Sequence, residues 1–197
     1  MNLTDSSQRC LLQIIGEGLD KSIERLAKIS RTNWEMQTVS LDTGSSSHFS
    51  SILAADSKDH YGTYFWMPHG FLIVLFAQSG LAVADSFLSD LSKKTESLDH
   101  LRQNALAEIS NIVANAVAGA LADACDVSIM ISSPQMACGR KKELFNDALA
   151  KFKSEGENCI VMSYVHMTSA DLATDCTMII GLDAKLTESL SSALDQG

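Results

Sequence analysis

The order of elements along the chain repeats once. Residues 11–30 place Leu11, Leu12, Ile15, Leu19, Ile23, Leu26 and Ile29 at the spacing of one helix face. Residues 34–41 read as a strand, and 42–58 as a Ser-rich stretch with a short helix. Residues 61–67 and 71–77 read as aromatic and β-branched strands joined at Pro68-His69-Gly70, and 81–91 as a helix. The second half follows suit. It has a long helix over 97–125, a strand over 126–132 ending before Pro134, and a helix over 141–152 with a turn at Gly156. Strands over 159–167 and 172–180 and a helix over 185–194 complete it. The offset between halves is about 100 residues, and the halves share pattern rather than residues. The pattern predicts two antiparallel half-sheets with helices on one face, an α+β protein with pseudo-twofold symmetry. The bridge 92–98 is short and charged, without a Pro/Gly linker. Residues 1–197 are therefore expected to form a single compact domain, with pseudo-repeat halves at about 1–95 and 96–197.

Charge narrows the partners. The 197 residues carry a net charge of −9, which disfavours nucleic acid and anionic membrane surfaces and suits a partner with a basic patch. Residues 1–9 are polar, without the basic and apolar regions of a secretory signal. No apolar run approaches the roughly 20 residues that span a bilayer. Five cysteines, Cys10, Cys125, Cys138, Cys159 and Cys176, are scattered without a C-x-x-C pair. They read as reduced, mostly buried thiols of a cytoplasmic protein.

Chemistry concentrates on the long helix of the second half. Leu106, Ile109, Val113, Val117, Ala120, Leu121 and Ala124 form its apolar side, and Ala114, Ala118 and Ala122 permit close packing. On the opposite side Asn104, Glu108, Asn111 and Asn115 recur at intervals of four, three and four, which is one helical stripe, continuing into Gly119. Asn is a mediocre helix former because its amide competes for the backbone, so three on one stripe call for a reason. An amide can orient a water but cannot take its proton. Phosphoryl transfer asks for little more, since its loose transition state demands little of the nucleophile. The carboxylate one turn away can pair with a cation on a partner.

The spacing Glu108-x2-Asn111-x22-Pro134 resembles the signature of the CheC/CheX/FliY phosphatases of bacterial chemotaxis, (Asp/Ser)-x3-Glu-x2-Asn-x22-Pro. The first position here is Asn104, neither Asp nor Ser. The resemblance implies a CheC-like pseudo-twofold duplication, an antiparallel sheet with long helices on one face. It implies a phosphatase acting on the aspartyl phosphate of a CheY-like receiver domain. Asn111 would position the attacking water, Glu108 would meet a receiver lysine, and Pro134 would shape the end of the strand beneath the site. Asn104 would belong to the supporting motif, and Asn115 offers a further partner contact. Mg²⁺ would sit on the receiver, so the chain needs no cofactor or metal ligands of its own, and a CheD-like protein becomes a further partner. Members such as CheC carry one motif per half. In this first half Gln13 stands where Glu belongs, Gly16 where Asn belongs, and Val39 lies 23 residues beyond Gly16. The alternative is a catalytically silent receiver-binding or adaptor module of a chemotaxis or two-component pathway.

Other signals are weaker. His48, His60, His69, His100 and His166 show no ligand spacing and suit surface or turn roles. Gly44-Ser45-Ser46-Ser47 lacks the Gly-Lys-(Ser/Thr) of a phosphate loop. Gly139-Arg140-Lys141-Lys142 reads as the solvated start of a helix, and Trp34 and Trp66 as core residues of strands.

Overall fold

Twelve elements follow one another in the computed structural model, which describes residues 5–88, 98–152, 159–169 and 172–194. The first half comprises α1 (Asp5–Ser30), β1 (Trp34–Gly44), α2 (Ser46–Leu53), β2 (Asp59–Met67), β3 (Gly70–Ala77) and α3 (Gly80–Leu88). The second comprises α4 (Leu98–Cys125), β4 (Gln135–Arg140), α5 (Lys141–Lys151), β5 (Cys159–Ser169), β6 (Leu172–Leu182) and α6 (Ala184–Leu194). The end of the 81–91 helix, most of the bridge 92–98 and the turn at Gly156 lie outside the described residues.

The strands make one antiparallel sheet, in the order β1-β5-β6-β3-β2-β4. Replacing each strand by its counterpart in the other half reverses this order and leaves it unchanged, so the pseudo-twofold passes between β3 and β6. The expected pair of half-sheets is corrected by this topology. Each half places its first strand against the other half: β1 pairs with β5, and β4 with β2. Local pattern sets where strands form but not which edge they join, because antiparallel pairing is a long-range choice.

The long helices α1 and α4 lie on one face of the sheet, with α3 and α6. Leu11, Ile15, Leu19 and Leu26 of α1 and Leu106, Ile109, Val113 and Val117 of α4 share a core with Leu72, Val74, Phe76, Met178 and Ile180. The short helices α2 and α5 cover the other face, where Phe49, Leu53, Leu144 and Phe145 pack on Ile73, Leu75, Ile160 and Ile179. This second layer explains the unbroken apolar run of β3. Phe71 through Phe76 are all buried because both faces of the strand are covered. α4 is, among the described helices, the one long and apolar enough to cross a membrane, which corrects the expectation that no segment is; 67% of that apolar window is buried in the fold.

Two sequence expectations need correction at the start of the second half. Residues 127–134 are not a strand; β4 begins only at Gln135. Pro134 has no N–H to give the ladder, so regular pairing with β2 starts after it. The irregular stretch still follows β2, since Ser132 N donates to Trp66 O at 2.8 Å and Trp66 N donates to Ser132 Oγ at 3.0 Å. Pro134 thus precedes a strand instead of ending one. His60, expected at the surface or in a turn, is 3% exposed. Its Nδ1 donates to Lys58 O at 2.9 Å, and its Nε2 lies 3.5 Å from Asp56.

Candidate functional site

α4 is packed on nearly all sides. From Asn104 to Leu121 the residues that retain exposure are Asn104, Ala107, Glu108, Asn111, Asn115 and Gly119, a line about one residue wide. Ala105, Leu106, Ile109, Ile112, Val113, Ala114, Ala116, Val117 and Ala118 are buried to either side. Ser110 is buried as well, its hydroxyl donating to Leu106 O at 2.7 Å. An ordinary solvated face of an amphipathic helix is broad. Here, among the described residues, the exposed positions in the middle of the helix are the polar stripe with Ala107 and Gly119.

The stripe is ordered along its length. Asn104 Nδ2 donates to His100 Nδ1 at 3.2 Å. Glu108 is exposed, and its carboxylate has no hydrogen bond or ion pair among the described residues. Asn111 is half-buried, and Asn115 Nδ2 donates both to Asn111 O at 2.8 Å and to Asn111 Oδ1 at 2.9 Å. A Cβ at Gly119 would meet nothing within 4 Å, so the lower end of the stripe is open to an approaching surface. Pro134 is exposed just before β4. Among the described residues no group of three His, Cys, Asp or Glu side chains could hold a metal ion. The arrangement can present one free carboxylate and one oriented amide to a docked surface.

No family model and no curated protein matches the chain in sequence. Solved structures do match in shape. Thermotoga maritima FliY superposes with a TM-score of 0.73 at 16% identity, over 100% of this chain and 99% of that one. A chain of the FliM–SpeE complex from H. pylori gives 0.67 at 14% identity, over 99% and 97%. A chain of the FliG–FliM complex from H. pylori gives 0.64 at 15% identity, over 96% and 100%. The chain has the CheC/CheX/FliY fold.

Within this FliY-like fold the two halves can be aligned by geometry. α1 and α4 each end at a left-handed residue, Arg31 (φ 56°) and Asp126 (φ 51°), which are 95 positions apart. At Asp126 the ending is a Schellman motif, with Val127 N donating to Ala122 O at 3.1 Å. The same offset sets Gln13 on Glu108, Gly16 on Asn111, Asp20 on Asn115 and Val39 on Pro134. Glu17 falls on the buried Ile112, so it does not take the place of Glu108. In the first half Gln13 Nε2 donates to Glu17 Oε1 at 3.1 Å, so the exposed amide is already engaged. Val39, 67% exposed, sits where the β1–β5 register shifts between Thr38 and Ser40. The strand interruption made by Pro134 in one half is made by a bulge in the other. A groove of ≈ 300 Å³ opens there, lined by Gln8, Arg9, Leu12 and residues 38–41. The first half therefore keeps the backbone of the site and lacks its carboxylate and amide.

The remaining polar clusters lie elsewhere. The basic run at 140–142 is partly consumed within the fold: Arg140 pairs with Glu143, and Lys141 reaches Asp56 at 3.1 Å and lies over the Tyr164 ring. Arg102 grips Asp85 through two bonds of 2.7 Å, tying α4 to α3. That pair left no sequence signal, because the partners are on different elements. The bond between Asn115 and Asn111 was legible as an i, i+4 spacing, though its direction was not.

Proposed function

We propose that this protein hydrolyses the aspartyl phosphate of a CheY-like receiver domain. The observation that carries the reading is a free carboxylate and a restrained amide one turn apart on the narrow accessible line of α4, on a FliY-like fold. Glu108 pairs with a lysine of the receiver and sets register. Asn111 reaches into the receiver's site and orients a water toward phosphorus. The water oxygen forms the new bond to phosphorus as the bond to the aspartyl oxygen breaks. The aspartate leaves as carboxylate, and both water protons leave with phosphate as dihydrogen phosphate. Mg²⁺ belongs to the receiver, which is the substrate, and the reaction is a cytoplasmic one.

The test is the phosphate lifetime on CheY-like receivers of the same organism, in Mg²⁺, with wild type and Asn111→Ala. Wild type is expected to shorten the lifetime. Asn111→Ala is expected to lose about 10²-fold of the stimulated rate with an unchanged melting curve. Equal activity in the two proteins removes the assigned mechanism. An unchanged lifetime with wild type leaves the second reading, an adaptor that docks receivers or flagellar proteins without turnover. Two observations favour that reading. The first-half site lacks both functional side chains, and similar chains occur in complexes named for SpeE and FliG.

A further inference from the structure

Asn115 lies one turn below Asn111, on the same exposed line. Its Nδ2 makes two bonds, to Asn111 O at 2.8 Å and to Asn111 Oδ1 at 2.9 Å. Amide orientation is ordinarily ambiguous, because oxygen and nitrogen are alike in size. Here the backbone carbonyl removes the ambiguity. A carbonyl oxygen can only accept, so the Asn115 atom facing it must be the NH₂. The second proton of that NH₂ then meets the Asn111 side chain, and the atom it meets must be the oxygen. The Asn111 amide is thereby locked with Oδ1 toward Asn115. Its Nδ2 has no partner among the described residues and keeps both protons for a ligand.

We propose that Asn115 is a positioning residue: it selects which end of the Asn111 amide meets the attacking water. The inference rests on the phosphatase reading of Asn111. With Nδ2 forward, the amide donates to one lone pair of the water. The other lone pair remains free for phosphorus, and neither water proton is tied to the protein as the two depart with phosphate. In the opposite orientation Oδ1 would accept a water proton, which would have to part from the protein before it left with phosphate. The first half lacks this device. Asp20 occupies the position equivalent to Asn115, and a carboxylate offers no protons to lock an amide at Gly16's position.

The test compares wild type, Asn115→Ala and Asn115→Asp by single-turnover dephosphorylation of a phosphorylated CheY-like receiver, with receiver concentration varied. Asn115 is exposed on a helix, so both variants keep the core. Asn115→Ala frees the amide to turn, and kcat is expected to fall about fivefold. Asn115→Asp keeps the size but sets an acceptor against both Asn111 O and Asn111 Oδ1, so the carboxylate swings off the backbone carbonyl and draws the Asn111 Nδ2 round to itself, and kcat falls about 30-fold. KM is expected to change less than about twofold in both, because a positioning residue acts through Asn111 on the chemical step and not on docking. Side-chain amide resonances in ¹⁵N spectra of the free proteins read the orientation independently of activity. The Asn111 pair is expected to shift in Asn115→Asp. If wild type does not accelerate dephosphorylation, the phosphatase reading fails and the water-orienting role falls with it. If wild type is active and Asn115→Asp retains its kcat, or if KM rises while kcat holds, the positioning role alone is overturned.

Discussion

Gly16 and Gly18 lie two residues apart in α1, and alanine at each is expected to change stability in opposite directions. A Cβ at Gly16 would meet nothing within 4 Å. Gly16→Ala thus removes the helix penalty of glycine with no packing cost, a gain of about 0.5–1 kcal/mol. At Gly18 the same atom would stand 2.8 Å from Val117 Cα, 2.9 Å from Val117 Cγ2 and 3.1 Å from Val117 N. Two of these three atoms are backbone, so no rotamer change relieves the overlap. α1 must retreat from α4 by about 1 Å, which strains the close-packed core between them. Overpacking at the upper end of its usual range, about 3 kcal/mol, less the propensity gain of about 1, gives a net loss of about 2 kcal/mol. In a chain of this size each kcal/mol moves Tm by about 2–4 °C, so Gly16→Ala rises by about 1–4 °C and Gly18→Ala falls by about 4–8 °C. Urea melts are expected to move the midpoint likewise with an unchanged m-value. Shifts of the same sign, or a neutral Gly18→Ala, would refute the close crossing of α1 and α4.

Two further predictions concern titration and reactivity. Burial holds His60 below its ordinary value of 6.5, against the opposing pull of the Lys58 carbonyl, with Lys141, Asp56 and Asp59 as the charged neighbours. The unfolded chain then binds the extra proton first, so stability is lost as pH falls below 6.5; His60→Gln is expected to flatten that slope in urea melts at pH 5 to 7, and an unaltered slope counts against a buried neutral His60. Cys138 is exposed on β4, whereas burial pushes the Cys159 thiol up and Cys176 up to about 12. A thiol reagent at about pH 8 is expected to label Cys138 promptly and Cys176 only after unfolding, with peptide mapping as the readout.

Much of the fold was legible because helix and strand periods record which face is buried. The apolar spacing of α1 and α4, the hairpin at Pro68-His69-Gly70 and the doubled order of elements all follow from local pattern. Where a strand is expected at 126–132 the chain is irregular, and regular pairing with β2 starts at Gln135, after Pro134, which has no N–H for the ladder. His60 was misplaced because nothing beside it in sequence announces that Lys141, from the other half, packs over the same region. Of the candidate site, the side-chain types and their register on one helix were legible. That the stripe is the accessible line of a helix otherwise packed all round was not, since that depends on what α1, α3, α6 and the sheet cover.

By itself, then, the sequence determined the elements other than β4, their duplication and the polar line of Asn104, Glu108, Asn111 and Asn115. Those properties are local, carried by side-chain period and spacing. Tertiary structure alone decided that β1 and β4 cross to the opposite half, and that Gly18 rather than Gly16 receives α4. Each of these depends on which surfaces meet across the chain, and glycines alike in sequence part company only when a neighbour arrives on one side.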